Sequence, residues 1–395
     1  MHKHGVRFDA LTIGMFEQTG GRGLKAQKNI SAGEVMLDIP SKLLMNPSTA
    51  NQCPVLRGII QPLSSIQVLC LHLLHEVRLG EDSFWAPWIR TLPKTMSNAL
   101  FFTEGETTAL ADTERQDEVL EHKERVRNLF LSAFSHVQSH WHGTLDWLDL
   151  QRFEWAWSII MTRGMYLRGD HDAADIITLV PFADFFNHDN VQTEAGFDAG
   201  SGMFRFRAAD SWTRGDQVFI CYGTFSNWQL LRDYGFILPA NRVDHVVVSP
   251  SPCLLDGSRA RPDPPRHNKA DKSKERREQK ALQLLGEYDL HKDWSLDLEG
   301  PSWNLLCGLR VLATQGDDTL RVAAVTGQPL PPATEHAVWR QLLSYCQQRL
   351  AQRTAFQGDE DSSSILPMVL SVRVFQEQCW QQCVQLCFQN GVSAS

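Results

Sequence analysis

The sequence contains no apolar run near the roughly 18–20 residues that a membrane-spanning helix needs. Its first seven residues also lack the apolar centre of a secretory signal. We therefore expect neither a membrane anchor nor a secreted protein.

Paired cysteines are missing too. The nine cysteines are odd in number and form no Cys-x-x-Cys pair, so neither a disulfide framework nor a zinc knuckle is indicated. This usage is typical of a reducing compartment, and we expect the protein in the cytoplasm, the nucleus or both.

Cys379, Cys383 and Cys387 come near the C-x3-C-x2-C spacing of iron–sulfur proteins. Because a spacing of four follows one helix face, we interpret them as packing residues.

The sequence also has no surplus of basic charge. Its formal net charge is -8 and its pI is about 6.0. Phosphate binding needs an excess of Lys and Arg, so we expect no direct contact with nucleic acid. A mildly acidic surface instead suits a protein substrate with a basic segment.

Strand and helix patterns alternate in an unusual order. We predict a β-hairpin over residues 20–40, with its turn at 31–33. Helical spacing follows in three segments, at Ser64–Arg78, Thr113–Phe130 and Leu145–Met161. Strand patterns then resume in three more, at Ile176–Phe182, Met203–Ala208 and Gln217–Tyr222. A Pro- and charge-rich stretch, Arg259–Lys280, reads as a linker, and the remainder to Ser395 is mostly helical.

Two segments suggest contact with a small ligand. Gly20, Gly21, Arg22 and Gly23 stand at the entry to a strand, where glycine allows the backbone to approach a ligand closely. They lack the GxGxxG spacing of a dinucleotide site, and a tight surface turn is the simpler interpretation. Arg163 ends an apolar helical segment, and a buried guanidinium needs an anionic partner. That partner is either a ligand carboxylate or a protein side chain.

Two further motifs place polar groups after apolar strands. Asn187 and His188 follow an apolar strand, although a lone Asn-His pair is more often a turn. Tyr222 and Gly223 end the next strand, and Tyr234-Gly235-Phe236 follows a short distance later.

In combination and in this order, these motifs resemble the SET-domain protein methyltransferases of the Rubisco large-subunit methyltransferase-like subclass. Phe84-Trp85-Ala86-Pro87-Trp88 is similar to the opening of that subclass's helical insert. The segment 299–303, Glu-Gly-Pro-Ser-Trp, resembles the animal SET-domain-containing protein 4 branch.

The resemblance implies an α+β fold, in which a split SET β-fold is interrupted by a helical insert and followed by a helical C-terminal domain. The boundaries it implies are residues 1–60 for the N-terminal part of the SET domain, 61–157 for the insert, 158–245 for the C-terminal part and 246–395 for a helical substrate-binding-like domain.

The resemblance also implies S-adenosyl-L-methionine as the cofactor and assigns residues to it. Tyr222 would be catalytic, beside the transferring methyl group. The residues expected to bind the cofactor are Gly20, Gly21, Arg22, Arg163, Asn187, His188, Tyr222 and Tyr234. Those expected to wall the substrate channel are Phe185, Phe186, Phe197 and Phe236, with Trp155 as a further candidate.

Methyl transfer from a sulfonium is an in-line displacement that needs alignment and exclusion of water rather than a metal. A lysine acceptor must be neutral, and an apolar channel lowers its pKa by desolvation. We therefore expect an enzyme without a metal that acts on a protein with an exposed lysine. We also expect the protein to be a monomer. The residues His136, His140 and His142 have no HExxH arrangement and read as a polar helix end.

Two positions bear on the acceptor. Phe197 matches the place where the plant enzyme has a channel tyrosine, so the number of methyl groups added stays open. Met165 stands where the family's actin-histidine branch has asparagine, which favours lysine over histidine. Histidine methylation and a non-catalytic SET fold that only binds a protein remain the alternatives.

Overall fold

A computed structural model of the chain describes residues 2–16, 21–110, 114–167, 176–250, 252–255, 279, 281–314, 317–352 and 363–392. The described chain forms two compact units. The first comprises Met1–Thr103, Asp117–Phe225 and Gln229–Val243, and the second comprises Glu104–Gln116, Ser226–Trp228 and Asp244–Ser395.

Short strands build the first unit. They are β1 (Leu11–Phe16), β2 (Gly21–Ala26), β3 (Val35–Pro40), β4 (Gly164–Leu167), β5 (Ile176–Leu179), β6 (Asn187–His188), β7 (Glu194–Asp198), β8 (Met203–Arg207) and β9 (Gln217–Ile220). They form a four-stranded sheet in the order β1-β2-β9-β6, a three-stranded sheet β3-β8-β7 and the pair β4-β5. Of the pairings between these strands, β6–β9 is parallel, with Asn187 opposite Phe219 and His188 opposite Ile220.

The hairpin predicted over residues 20–40 is wrong. Both of its strands exist, but β2 pairs with β1 and β9, whereas β3 pairs with β8. Local alternation of apolar residues specifies a strand, whereas its partner is chosen by packing across the whole sheet. The strand predictions near 176, 203 and 217 are confirmed.

Helices fill the interval between β3 and β4. They are α1 (Pro47–Gln52), α2 (Ser65–Leu79), α3 (Ala86–Ile89), α4 (Glu104–Ala109), α5 (Glu114–His140) and α6 (Leu150–Arg163). The Ser64 hydroxyl accepts from the Gln67 N–H and begins α2, and Asp149 begins α6 by accepting from the Arg152 N–H. The third predicted helix therefore begins at Leu150 rather than at Leu145, and the second extends to His140.

Two apolar cores support the first unit. One packs α2, α5 and α6 together and includes Leu69, Phe153 and Ile160. The other lies among the sheets and includes Leu24 and Phe206. The second core supports the strands from which the polar motifs project.

The second unit is mainly helical. Its elements beyond residue 243 are β10 (Val246–Val247), α8 (Pro252–Leu255), β11 (Ser295–Leu296), α9 (Trp303–Ala313), α10 (Asp318–Val325), α11 (Pro332–Gln352) and α12 (Leu366–Gln389). The remaining helix, α7 (Asn227–Tyr234), precedes them, and from Gln229 onward it belongs to the first unit. Except for position 279, the predicted linker at 259–280 lies outside the described residues.

Cys379, Cys383 and Cys387 lie on α12 and are fully buried in the apolar core of the second unit. Their interpretation as packing residues is therefore confirmed. Within the described ranges, no group of three or more His, Cys, Asp or Glu side chains could hold a metal ion. No helix of the described ranges is both long and apolar enough to cross a bilayer. The α+β class with a split β-fold and helical insert is confirmed.

Candidate active site

The polar motifs meet where β6 lies beside β9. The backbone N–H of Tyr222 donates to Nδ1 of His188 at 3.1 Å, and the two rings stack with their centroids 5.1 Å apart. The Tyr222 hydroxyl donates to the backbone oxygen of Phe186 at 2.5 Å. Tyr222 is thus held at both ends by the segment that contains the Asn-His motif.

Burial sets the protonation of these two rings. It raises the pKa of the Tyr222 phenol well above its usual 10, an effect that the charge of Arg163 partly opposes. It lowers the pKa of His188 below its usual 6.5. At neutral pH the phenol therefore keeps its proton, and the imidazole is neutral and accepts the Tyr222 N–H.

The glycine-rich strand reaches the same place. The Asn187 amide donates to the backbone oxygen of Arg22 at 3.2 Å. A Cβ on Gly23 would lie 2.5 Å from the Gln217 amide nitrogen and 2.9 Å from that of Asn187, so any larger residue there would displace these two side chains. The predicted cofactor residues Gly21 and Arg22 are therefore adjacent to Asn187, whereas Gly20 lies outside the described residues.

Arg163 and Asp184 face each other beside this cluster. Nε of Arg163 lies 4.0 Å from the Asp184 carboxylate and, within the described residues, has no hydrogen-bond partner. The Asp184 carboxyl accepts from the Trp88 indole at 3.1 Å and from the Phe182 N–H at 3.0 Å. Burial raises the pKa of Asp184, and the charge of Arg163 opposes that shift. The predicted anionic partner thus exists in the protein, but at a distance that leaves the guanidinium free to bind a further anion.

Arg163, Asp184 and Tyr222 border a cavity of about 350 Å³, here called the site cavity, whereas Asn187 and His188 are not among its lining residues. Its polar wall includes Arg163, Asp184, Thr193, Tyr222 and Tyr234. Its apolar wall includes Met165, Phe186, Ala195, Phe204, Phe206 and Ile220. Burial raises the pKa of Tyr234 to about 12, so this phenol also stays protonated.

The predicted channel residues are only partly brought together. Phe186 lines the cavity, Phe236 packs 6.1 Å from the His188 ring between centroids, and the Phe185 ring lies 5.4 Å from the Arg22 guanidinium carbon. Phe197 is 39% exposed and is not among the lining residues.

The position of Phe197 follows from its strand. Ala195, on the same face of β7, does line the cavity. Two residues along a strand span about 7 Å, which places Phe197 beyond the cavity wall. Trp155 lies elsewhere, and its indole donates to the Pro93 oxygen at 2.8 Å.

Sequence reasoning assigned no role to two residues that line the cavity. Asp184 and Thr193 line the cavity, and the Thr193 hydroxyl accepts from the Cys221 N–H at 2.6 Å. Asp184 lies three positions before Asn187, and its acidic side chain in an apolar run was a signal that could have identified it. Gly23 was part of the predicted glycine-rich segment, but its contacts with Gln217 and Asn187 join distant parts of the chain and had no signal in the sequence.

Comparison with known proteins identifies two domains in the chain. A SET domain family model matches residues 21–223, and one described as Rubisco LSMT substrate-binding matches 263–383. Mouse SET domain-containing protein 4 is 29% identical over 310 residues, covering 75% of this chain and 67% of its own. Rat actin-histidine N-methyltransferase is 30% identical over 237 residues, covering 58% of this chain and 39% of its own. The crystal structure of the SET domain of LSMT bound to lysine and AdoHcy has a TM-score of 0.71, with 21% identity over 98% of this chain and 89% of that one.

The fold and the matched domains define a protein methyltransferase that uses S-adenosylmethionine. The chain belongs to the SET-domain family, as its motifs indicated.

Proposed function

We propose that this protein methylates the Nε atom of a lysine in a protein substrate, with Tyr222 beside the reacting groups. The observation that carries the proposal is the site cavity. It joins an apolar wall, to which Met165, Phe186 and Phe204 contribute, to the Tyr222 hydroxyl. A lysine stem suits such a wall, and its amine would meet the polar groups at the cavity's end.

The residues present fit the cofactor. Arg163 lies in the cavity wall, and its Nε has no hydrogen-bond partner in the described structure. Its guanidinium is therefore suited to bind the carboxylate of the cofactor. Gly21, Arg22, Asn187 and His188 would hold the remainder. When bound, S-adenosylmethionine supplies a methyl group on a sulfonium, which is already activated for displacement.

The chain's own residues would prepare the acceptor. Removing an ammonium group from water favours its neutral form, so the apolar wall lowers the lysine pKa toward the working pH. The protonated Tyr222 hydroxyl is fixed by its bond to Phe186 and is a preorganised dipole rather than a base. Enclosure by Phe204 and Phe206 excludes water that would compete for the amine.

Lysine and histidine acceptors need different groups in the wall of the site cavity. A histidine ring needs a polar partner to select its tautomer. Met165, which lines the cavity, offers none, and this supports lysine. Histidine stays the second candidate, because a relative 30% identical over 237 residues bears the name actin-histidine N-methyltransferase.

The test is to incubate a proteome extract with the protein and methyl-labelled S-adenosylmethionine, and to identify labelled residues by mass spectrometry. Label on lysine that disappears with Tyr222→Phe supports the proposal. Label on histidine would overturn the choice of acceptor. Absence of label, together with binding of S-adenosylhomocysteine in a calorimetric titration, would instead indicate a non-catalytic SET fold.

A further inference from the structure

A second large cavity lies in the helical insert. It has a volume of about 880 Å³ and is here called the insert groove. Its walls come from the end of α2, from the segment after α3 and from the start of α6. The residues that define it are Leu74, Val77, Arg78, Ile89, Arg90, Leu92, Pro93, Lys94, Thr95, Met96, Phe101, Asp146, Trp147, Gln151, Arg152 and Trp155.

The groove has an apolar lining. Val77 is 40% exposed, and Ile89 and Met96 are half-buried beside it. Trp147 also contributes to the lining and is only 6% exposed. An exposed apolar surface of this kind suits an apolar side chain of a partner.

The rim of the groove is basic. Arg78, Arg90, Lys94 and Arg152 line it together with a single acid, Asp146. Arg90 pairs with Glu81 and Arg152 pairs with Asp149. Arg78 and Lys94 have no acidic partner in the described ranges, and Arg78 lies over the Trp141 ring at 5.5 Å from its centroid. An apolar groove edged by two uncompensated cations is complementary to an acidic segment with an apolar side chain.

One wall of the groove is shared with the active site. Arg22 donates to the backbone oxygen of Thr91 at 2.8 Å, and Trp88 donates to Asp184. A few residues further on, the Ser97 hydroxyl donates to the backbone oxygen of Gly235 at 3.2 Å. The residues between them, Leu92–Met96, line the groove. A protein segment in the groove would therefore contact the stretch of chain that is hydrogen-bonded to Arg22, Asp184 and Gly235.

We propose that the insert groove binds an acidic segment of the protein substrate, with an apolar side chain of that segment inserted between Val77 and Met96. The identity of the occupant as substrate rests on the proposed function. The groove would select the substrate at a distance from the methylated residue, by contacts that the site cavity cannot make.

The first test is direct binding, which needs no catalysis. The probe is a short fluorescein-labelled peptide in which a Phe-Leu pair is flanked by Asp and Glu, titrated by anisotropy at low salt. The double variant Arg78→Glu/Lys94→Glu should weaken binding about tenfold or more, and added salt should weaken wild-type binding. The matched control is Arg57→Glu/Arg214→Glu, which reverses two exposed cations outside the groove and should bind as wild type does.

Control peptides separate the two contributions. Replacing the acids by Asn and Gln, or the Phe-Leu pair by alanines, should each reduce affinity. Equal binding by wild type and the Arg78→Glu/Lys94→Glu variant would overturn the groove as the site. Self-association of the wild type that the same reversal abolishes would assign the groove to a second copy and overturn the proposal.

The second test asks whether the occupant is substrate. In the labelled extract, Arg78→Glu/Lys94→Glu should lose most labelling while its affinity for S-adenosylhomocysteine stays that of wild type. Unchanged labelling, with peptide binding lost, would refute the assignment to substrate. If the wild type labels no protein, the proposed function fails, whereas the peptide titration still decides whether the groove binds acidic segments.

Discussion

Replacing Tyr222 by phenylalanine should strongly reduce turnover while preserving cofactor binding. The substitution removes one oxygen and keeps the ring that stacks on His188 at 5.1 Å and lies 5.2 Å from Tyr234 between centroids. The backbone N–H that donates to His188 is also kept. Any difference between this variant and the wild type is therefore due to the loss of the Tyr222 hydroxyl.

Two magnitudes follow from the contacts of that hydroxyl. Its loss leaves the Phe186 oxygen without the 2.5 Å donor, and a buried acceptor without a partner costs about 1–3 kcal/mol of folding free energy. For a domain of this size each kcal/mol lowers the melting temperature by about 2–4 °C. Loss of a preorganised dipole at a desolvated reaction centre costs on the order of 10²–10³-fold in kcat. The expected signature is a small thermal shift with a large rate loss.

The assay measures initial rates of labelled methyl transfer at a temperature well below the melting point, with S-adenosylhomocysteine affinity measured by calorimetry. Tyr166→Phe is the control, because Tyr166 lines the same cavity but is 63% exposed, and its rate should stay near that of wild type. A Tyr222→Phe variant within about threefold of the wild-type rate would refute the role given to the hydroxyl, since about 0.65 kcal/mol is too little for a reaction-centre contact.

Three further outcomes test the site and its surroundings. Arg163→Met should weaken S-adenosylhomocysteine binding about 10–100-fold in calorimetry, the range expected for a charge-assisted bond to a carboxylate, and an unchanged affinity would contradict that role. Burial lowers the pKa of His122 below its usual 6.5 in the folded protein. As the pH falls through 6.5, His122 is therefore protonated in the unfolded chain before it is protonated in the folded one, and the free energy of unfolding decreases. His122→Phe should flatten the fall in melting temperature between about pH 7.5 and 6, and an unaltered slope would count against it. Gly23→Ala should push aside Asn187, lower stability by about 1–3 kcal/mol and impair cofactor binding, whereas Gly196→Ala, with open space around its Cβ position, should do neither.

Local sequence patterns were sufficient to predict most of the elements but not their partners. The helix at 65–79 and the strand at 203–207 were predictable because their apolar periodicity and capping residues lie within the element. The pairing of β3 with β8 joins residues more than 160 positions apart. No local signal encodes such a partner, which is why the 20–40 hairpin was predicted wrongly.

The candidate site shows the same division between local and distant information. Asn187, His188 and Tyr222 were identifiable only as a set, because the motif order carried information that each residue lacked. The Phe197 prediction matched a channel position of the family to this chain by sequence alone. The sequence did not show which residues of β7 face the cavity, because that depends on how β7 pairs with β8. A displacement of two residues keeps the face of a strand but moves the side chain by about 7 Å, so only coordinates could place Ala195 rather than Phe197 at the cavity.

The parallel pairing of β6 with β9 brings the Asn-His motif and Tyr222 together in one site. His188 lies opposite Ile220, so Tyr222 emerges two residues past the end of the pairing, where its N–H meets His188 and its hydroxyl returns to Phe186. Asn187, on the same short strand, donates to the oxygen of Arg22 on β2. Because one segment orients both the Tyr222 hydroxyl, which we propose lies beside the reacting groups, and the backbone expected to hold the cofactor, a shift of β6 would displace both at once. If Tyr222 acts as we propose, the alignment that in-line transfer requires depends on this single pairing of strands.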